Sequence, residues 1–213
     1  MKISRRQTSA ITAFVMLALV VGFVGGTFYR EEQYNLELRE DFANKNHVVI
    51  NVVKGVQDDS LLANGWTFVG FTVDGRYHYQ YVSTNVIVNA GQNWAQGQIS
   101  GTPSASLKAV YIGLSESSSA PSYTDTTIPT ELTANGLSRA TGTYTSGTAA
   151  SGDISWKVEY TWTASAAATV CKAGLFVTSG YNATPMYAEN TFAAVTLASN
   201  DTISLTWWIV SSA

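Results

Sequence analysis

The chain has 213 residues, a formal net charge of −3 at pH 7 and 13% charged residues, against roughly 25% in a typical soluble domain. Its single cysteine, Cys171, excludes an intrachain disulfide and a cysteine-based zinc cluster within these residues. No basic run lies outside the N-terminus, so nucleic acid is not an expected partner.

The first predicted element is the uncharged, apolar segment at residues 8–29. A helix needs roughly 20 apolar residues to cross the hydrocarbon core of a bilayer, and this segment is long enough. Lys2, Arg5 and Arg6 precede it, so residues 1–7 are expected in the cytoplasm and the remaining chain outside. The pattern predicts a single-pass membrane protein whose first partner is the lipid membrane.

Two alternatives to this signal anchor remain open. A cleavable signal peptide could use Val24 and Gly26 as the small residues before the cleavage site. The apolar run is, however, longer than the hydrophobic region of a signal peptide, which usually has roughly 7–15 residues. An archaeal pilin-type signal would fit the short basic leader directly before the apolar run, but Gln7 departs from that layout.

Small residues recur at intervals of four within the segment, at Ala18, Gly22 and Gly26. This spacing puts them on one face of a helix, where small side chains let two helix backbones approach closely in lipid. They are the candidate helix-association residues, although glycine and alanine are also common in membrane helices generally.

A charged stalk and a short strand follow the membrane segment. Residues 30–46 are rich in helix formers and predict a helical stalk with a linker, and residues 47–213 form the predicted external domain. Residues 47–54 are β-branched and predict a strand. That strand either starts the domain or is donated to a neighbouring subunit.

The clearest local signal is a hairpin. Asp74 and Gly75 separate two aromatic and β-branched runs, at residues 66–73 and 76–82. Such a pair between two strands predicts a two-residue type I′ turn, in which both central residues have positive φ.

The second arm of this hairpin places Tyr77, Tyr79 and Tyr81 on one face, with His78 on the other. Such a row is either a packed sheet face or a contact surface. Together with Trp66, these tyrosines are the candidate contact residues. His78 is expected to be solvated.

Further strands and one helix complete the prediction. The helix begins near Asn89 and carries Trp94 and Ile99, and a helical turn is expected within 129–135. The remaining strands are predicted at residues 107–114, 137–145, 154–162, 169–177, 186–197 and 202–210. Seven to nine short strands predict a mainly β, antiparallel β-sandwich behind the membrane helix and stalk.

No catalytic constellation is present in the sequence, and neither an enzyme nor a cofactor is expected. Carboxylates that could together hold a calcium ion are few and lack a calcium-loop spacing; they are Asp58, Asp59, Asp125, Glu131 and Asp153. Asn182 and Asn200 each begin a glycosylation triplet and are candidate modification sites. Cys171 has small apolar neighbours and is expected to be a buried, inert thiol, with interchain pairing as the alternative.

Several short segments in the second half of the chain occur in a characteristic order. They are Asn89-Ala90-Gly91, 111–114, 118–126, 131–132, 160–164, 173–176 and 205–207. In this order they resemble a module found in tail and other structural proteins of prokaryotic viruses and in archaeal surface proteins, over residues 84–213. The resemblance implies a non-enzymatic β-sandwich used in structure or attachment. The membrane anchor departs from tail modules and points to a membrane-associated assembly or the cell surface.

The sequence therefore predicts a membrane-anchored structural protein, used in assembly or host attachment by a prokaryotic, archaeal-type virus. Expected partners are copies of itself or other structural subunits, and a host-surface or glycan receptor. The alternatives are a pilin-like surface filament subunit or adhesin, and a carbohydrate-binding surface module that uses exposed aromatic rings such as Trp66 and Tyr77.

Overall fold

Alternating apolar and β-branched residues make most of the external part of the chain β-strand. The computed structural model describes residues 46–99, 108–148, 154–181 and 185–211, and the structural statements below concern those residues. Their elements are β1 (His47–Lys54), α1 (Asp59–Ala63), β2 (Thr67–Phe71), β3 (Tyr77–Thr84), β4 (Val86–Ile87), α2 (Asn89–Ile99), β5 (Tyr111–Ser115), β6 (Ala140–Thr141), β7 (Thr143–Thr148), β8 (Ile154–Thr163), β9 (Ala168–Phe176), β10 (Met186–Leu197) and β11 (Thr202–Ser211).

The predicted cytoplasmic flank (1–7), membrane helix (8–29) and almost all of the stalk (30–46) lie outside the described residues. The candidate helix-association residues Ala18, Gly22 and Gly26 lie there too. In the described part of the chain, neither helix has the length and apolar character needed to cross a bilayer.

The strands form two antiparallel sheets. One has six strands in the order β2-β3-β1-β11-β8-β7, and the other has five in the order β4-β10-β9-β5-β6. The prediction of a mainly β, antiparallel architecture is confirmed, and the two-sheet arrangement is that of a β-sandwich. The described residues contain eleven strands rather than seven to nine, and one of the additional strands arises because the strand predicted at 137–145 is two strands, β6 and β7.

The inner faces of the two sheets share one hydrophobic core. The six-stranded sheet contributes fully buried side chains that alternate along its strands, including Val48, Ile50, Val52, Val158, Ile203, Leu205 and Trp207. The five-stranded sheet contributes Ile112, Leu114, Val170, Ala173, Leu175, Val195 and Leu197. This core holds the two sheets face to face.

The strand predicted at 137–145 divides in two at Gly142. Before it, β6 pairs with β5 in one sheet, and after it, β7 pairs with β8 in the other. A Cβ at Gly142 would lie 2.5 Å from Cγ1 of Val158, so the crossing between sheets needs a residue without a side chain.

The strand β1 pairs within its own chain, between β3 and β11. This is the first of the two alternatives stated for residues 47–54. Val48, Ile50, Val52 and Lys54 point inward, and the intervening residues point to the outer face.

The hairpin between β2 and β3 exists, but its predicted turn type is wrong. Thr72 and Arg76 close a loop of three residues, with Gly75 N–H donating to Thr72 O at 2.9 Å. Gly75 has φ +80°, whereas Asp74 has no positive φ. This is the geometry of a type I turn followed by a left-handed glycine, the usual three-residue hairpin loop.

The helical turn predicted within 129–135 is also absent from the structure. Residues 116–136 instead form a long covering loop over the outer face of the five-stranded sheet. Glu131 makes an isolated bridge to Ser115, and Asn135 and Gly136 adopt positive φ, at 57° and 75°. Side-chain contacts with the sheet hold this loop, so its local helix propensity does not decide its conformation.

Candidate functional site

An aromatic cluster lies at the β2 edge of the six-stranded sheet. It consists of Phe68, Phe71, Tyr77 and Tyr79 and is called here the edge cluster. Ring centroids are 5.3 Å apart for Phe68–Phe71, 5.2 Å for Phe71–Tyr77 and 5.6 Å for Phe68–Tyr79. These distances are typical of favourable edge-to-face and tilted aromatic pairs.

A β-bulge in β2 brings the two phenylalanines to the same side. Phe68 lies opposite Tyr79 and Phe71 opposite Tyr77, with the register shifting between Phe68 and Gly70. Residues three apart in a regular strand point to opposite faces, but the extra residue Val69 restores a common face. Tyr79 in turn lies opposite the buried Val52, so the edge cluster is on the core-facing side of the sheet.

Part of the edge cluster and the hairpin tip are exposed to solvent. Phe68 is 39% exposed and Phe71 is 65% exposed, and Val73 at the hairpin tip is fully exposed. Val73 and Phe71 together form an exposed apolar surface that does not belong to the hydrophobic core.

The edge cluster and hairpin tip lie at the end of the domain opposite Asn46. The register pairs Lys54, the last residue of β1, with Tyr77, whereas His47 at the other end pairs with Thr84. The strand β1 has eight residues, so the two ends are separated by roughly 25 Å at about 3.3 Å per residue.

The predicted contact residues divide between surface and core. Trp66 is only 3% exposed, its indole N–H donates to Ala193 O at 3.2 Å, and its ring packs on Tyr81 and Phe192. Tyr79 is also buried, and its hydroxyl accepts the Asp58 N–H at 2.8 Å.

Tyr77 and Tyr81 are half-buried and pack against the core. The tyrosine row is therefore largely a packed face, and Trp66 offers no ring to a surface ligand. The sequence analysis did not predict Phe71 and Val73 as contact residues. Two phenylalanines three residues apart, with a glycine between them, are a pattern that could have predicted the β-bulge.

Asn200 lies in the exposed turn between β10 and β11, with φ 70°. Its backbone carbonyl accepts a hydrogen bond from Arg76 at 2.7 Å, and its backbone N–H donates to Ala164 O at 2.7 Å. Exposure of this turn is compatible with a modified asparagine. The other candidate, Asn182, lies outside the described residues.

The acidic residues considered as calcium ligands do not converge. Asp58 pairs with Lys54 Nζ at 2.7 Å, Asp59 accepts a bond from Gln57, and Glu131 pairs with Arg139. Among the described residues, no three carboxylate, histidine or cysteine side chains are close enough to hold a metal ion. Asp153 lies outside this part of the chain.

His78 is half-buried on the outer face of the six-stranded sheet rather than simply solvated. Its Nε2 lies 3.0 Å from Asn51 Oδ1, which also accepts a hydrogen bond from Gln80 at 3.0 Å. The three side chains belong to neighbouring strands and form a small polar network on this face.

A second group of polar residues lies between the five-stranded sheet and the covering loop. Arg139 donates two hydrogen bonds of 2.7 Å to the Glu131 carboxylate, and its guanidinium is 3.5 Å from the ring centroid of Phe176. It also donates to the carbonyls of Thr178 and Gly180. This buried pair attaches the loop to β9.

The deepest ionisable pair is Lys172 of β9 and Glu189 of β10. Both side chains have zero exposure, and Lys172 Nζ is 2.9 Å from Glu189 Oε2. Glu189 Oε1 accepts the Ser122 backbone N–H at 2.7 Å, and Asp125 hydrogen-bonds the same carboxyl group. Burial, followed by the hydrogen bond with Asp125, raises the pKa of Glu189 despite the opposing effect of Lys172.

Two isolated charges in the sequence indicate that such a pair exists. Lys172 is a single charge within the apolar run of β9, and Glu189 is a single charge within β10. A charged residue in a strand buried on both faces needs a partner, but only the sheet pairing shows which one.

Cys171 is buried, as expected, and its thiol donates to Glu116 O at 3.0 Å. Burial, with the nearby Glu116 carboxylate, raises the pKa of the thiol. A raised pKa lowers the thiolate fraction and so the reactivity of the group.

Comparison with protein-family models, with curated proteins and with solved structures finds no match to this chain.

Proposed function

We propose that this chain is a non-enzymatic, membrane-anchored structural subunit whose external domain contacts another protein subunit through the edge cluster and the hairpin tip. The observation that carries the proposal is the apolar surface of Phe68, Phe71 and Val73 at the sheet edge. In a structural assembly of prokaryotic-virus type, this surface would mediate assembly or attachment.

The chemistry of the surface favours a protein over a carbohydrate as its partner. Phe68 and Phe71 have no polar group on their rings, whereas sugars are recognised by aromatic rings together with hydrogen-bonding side chains. Trp66, the best ring for stacking on a sugar, is buried. The strand β2 is also the end strand of its sheet, and an extended segment of a partner can add to a sheet at such an edge.

The register places the proposed contact at one end of the strands. Asn46 lies at the end where His47 pairs with Thr84, and the hairpin tip lies at the other end, where Lys54 pairs with Tyr77. The proposed partner at the hairpin tip is a neighbouring subunit or a host-surface protein.

Photo-crosslinking of the full-length protein in its native assembly tests this proposal. Phe71 would be replaced by the photoreactive analogue benzoylphenylalanine, which keeps the aromatic ring. We expect irradiation to link position 71 to a protein, which peptide mass spectrometry identifies as a second copy or another structural subunit. Crosslinks to lipid or glycan alone, or none, would overturn the proposed contact.

The matched control is the same replacement at Tyr123, which is 63% exposed but lies in the covering loop. It should give little protein crosslinking. A second variant, Phe71→Ser with Val73→Ser, should leave the thermal unfolding midpoint nearly unchanged, because both side chains are largely exposed. The same variant should reduce incorporation into the assembly.

A further inference from the structure

The buried pair of Lys172 and Glu189 links two neighbouring strands on the covered face. The register places Lys172 opposite Thr191 and Glu189 opposite Gly174, so the two side chains are diagonal neighbours on one face. Both are fully buried, and their polar atoms are in direct contact at 2.9 Å. An amine and a carboxyl group are therefore held together away from water.

The surroundings of this pair offer little solvation. Moving two charges out of water is costly, and the apolar side chains of Phe176 and of Ile128 in the covering loop lie beside Gly174, the residue opposite Glu189. A proton that moves from the ammonium to the carboxylate leaves a neutral amine, which is the nucleophilic form of lysine.

We propose that Lys172 and Glu189 condense to an intrachain amide bond that joins β9 to β10, with Asp125 passing the proton. The product is neutral, so the interior no longer holds two desolvated charges. The chain has a single cysteine, and this amide would supply a covalent crosslink without a disulfide.

The reaction balances within the chain. Lys172 Nζ attacks Cδ of the protonated Glu189 carboxyl group, and a nitrogen–carbon bond forms. The carbon–hydroxyl bond then breaks, and the hydroxyl leaves as water with the proton lost from nitrogen. No oxidant, reductant or cofactor is required.

Two neighbours of Glu189 suit this reaction. The Ser122 N–H, 2.7 Å from Oε1, can stabilise negative charge that develops on that oxygen during the attack. The Asp125 carboxyl group hydrogen-bonds Glu189 and can accept the amine proton and return it to the departing hydroxyl. Asp125 is itself held by the Ser122 N–H at 3.1 Å from its Oδ2.

Two other ion pairs in the same chain provide internal controls. Lys157 and Glu159 are 2.8 Å apart but partly exposed, and Lys54 and Asp58 are 2.7 Å apart with Asp58 partly exposed. Water reaches both of these pairs, whereas Lys172 and Glu189 have zero exposure. Both pairs should remain unlinked.

Peptide mapping of the full-length protein tests the proposal. Trypsin normally cuts after Lys172 and separates residues 158–172 from 173–213, which contain Glu189. We expect these residues to stay in one peptide, 158–213, that weighs one water molecule less than its linear mass, which is two less than the sum of the separate peptides. Chymotrypsin should release a branched peptide of residues 163–176 and 188–192, which contains neither glycosylation triplet.

Each alternative outcome is distinguishable. Complete tryptic cleavage after Lys172, with both peptides at their unmodified masses, would overturn the proposal. A fragment spectrum that places the link on Asp125 would overturn Glu189 as the acceptor. Cleavage after Lys157 and Lys54 should proceed normally in the same digest.

Two variants separate the roles. Lys172→Arg keeps a cation beside Glu189 but cannot form this amide, so the water loss should vanish while the protein still folds. Persistence of the water loss in that variant would contradict the assignment. Asp125→Asn should lower the linked fraction several-fold, and full linkage in it would remove Asp125 from the reaction.

Discussion

The outer faces of the two sheets differ in how they meet their surroundings. On the six-stranded sheet the outer face is solvent-facing and carries alternating polar side chains, such as Thr161 and Ser204, whose hydroxyls are 2.7 Å apart. On the five-stranded sheet the covering loop buries the outer face, and seven consecutive residues of β9 are buried.

This difference decides what a charged residue does in each sheet. Lys157 and Glu159 form an ion pair on the open face with partial exposure. Arg139 and Glu131 form one under the covering loop with almost none. Solvent screens the charges of Lys157 and Glu159. For Arg139 and Glu131, hydrogen bonds within the protein take the place of hydration.

Trp208 shows an intermediate case on the open face. Trp208 is half-buried there, with His47 stacked beside it at 6.1 Å and Lys157 over its ring at 5.7 Å. Neighbouring side chains of the same face provide this partial cover.

The largest expected effect comes from breaking the covered ion pair. Arg139→Ala removes both hydrogen bonds to Glu131 and the contact with Phe176, and it leaves a buried carboxylate unpaired. We expect the free energy of unfolding to fall by about 3–5 kcal/mol, measured by chemical denaturation. Lys157→Ala on the open face is the control and should cost no more than about 1 kcal/mol. Equal losses would contradict the distinction between the faces.

A smaller effect is expected from crowding the space under the covering loop. Gly113→Ala would put a Cβ 2.5 Å from Glu131 Oε1 and 3.2 Å from the Phe176 ring. We expect a loss of about 1–3 kcal/mol in the free energy of unfolding, because the loop must shift. Gly55→Ala, where a Cβ meets no atom within 4 Å, should be close to neutral.

The cap of α1 tests a partly exposed site at the end of the sandwich. Asp58 accepts hydrogen bonds from Ser60 N–H and Lys54 Nζ, and Asp58→Ala should cost about 0.5–2 kcal/mol by thermal or chemical unfolding. A change well outside this range would show that the cap geometry is not the dominant contribution.

The same residue predicts a pH dependence. Burial alone raises the pKa of Asp58, but the hydrogen bonds from Lys54 and Ser60 outweigh it and lower the pKa below its ordinary value of 3.8. Its stabilising contribution is therefore complete above about pH 3.8 and is lost as the pH falls through the lower, folded-state pKa. Asp58→Asn should lack this acid-induced loss when unfolding is compared across pH.

The smallest effect is expected on the open face. Thr161→Val removes the hydroxyl contact with Ser204 but leaves both positions accessible to water. We expect a change within about 0.5 kcal/mol in the free energy of unfolding. A loss above that range would indicate that this face is covered in the intact protein.

Much of the strand content was predictable from the sequence because strand alternation is a local property. The bounds of β1 and β10 coincide with the predicted strands, and β8 and β11 differ by one residue at their ends. The turn of the β2–β3 hairpin was misjudged because Asp-Gly also fits the three-residue loop, and the register of the strands decides between the two.

The candidate site was predictable only in part. The aromatic character of the hairpin was evident, but the sequence could not separate the buried Trp66 from the exposed Phe71. Both are large apolar side chains, and only the tertiary structure shows that Trp66 packs on Tyr81 and Phe192 whereas Phe71 stays exposed. The pairing of Lys172 with Glu189 was equally invisible, because it arises from the register between β9 and β10.

The sequence by itself determined an apolar segment long enough to span a bilayer, a low-charge β-rich domain, and the position of most strands. These follow from composition and from patterns within a few residues. Only the tertiary structure decided which strands are neighbours, where Gly142 crosses between sheets, which face the covering loop buries, and which aromatic residues remain exposed. Those features depend on contacts between residues far apart in the chain, and a pattern within a few residues does not show which of these contacts form.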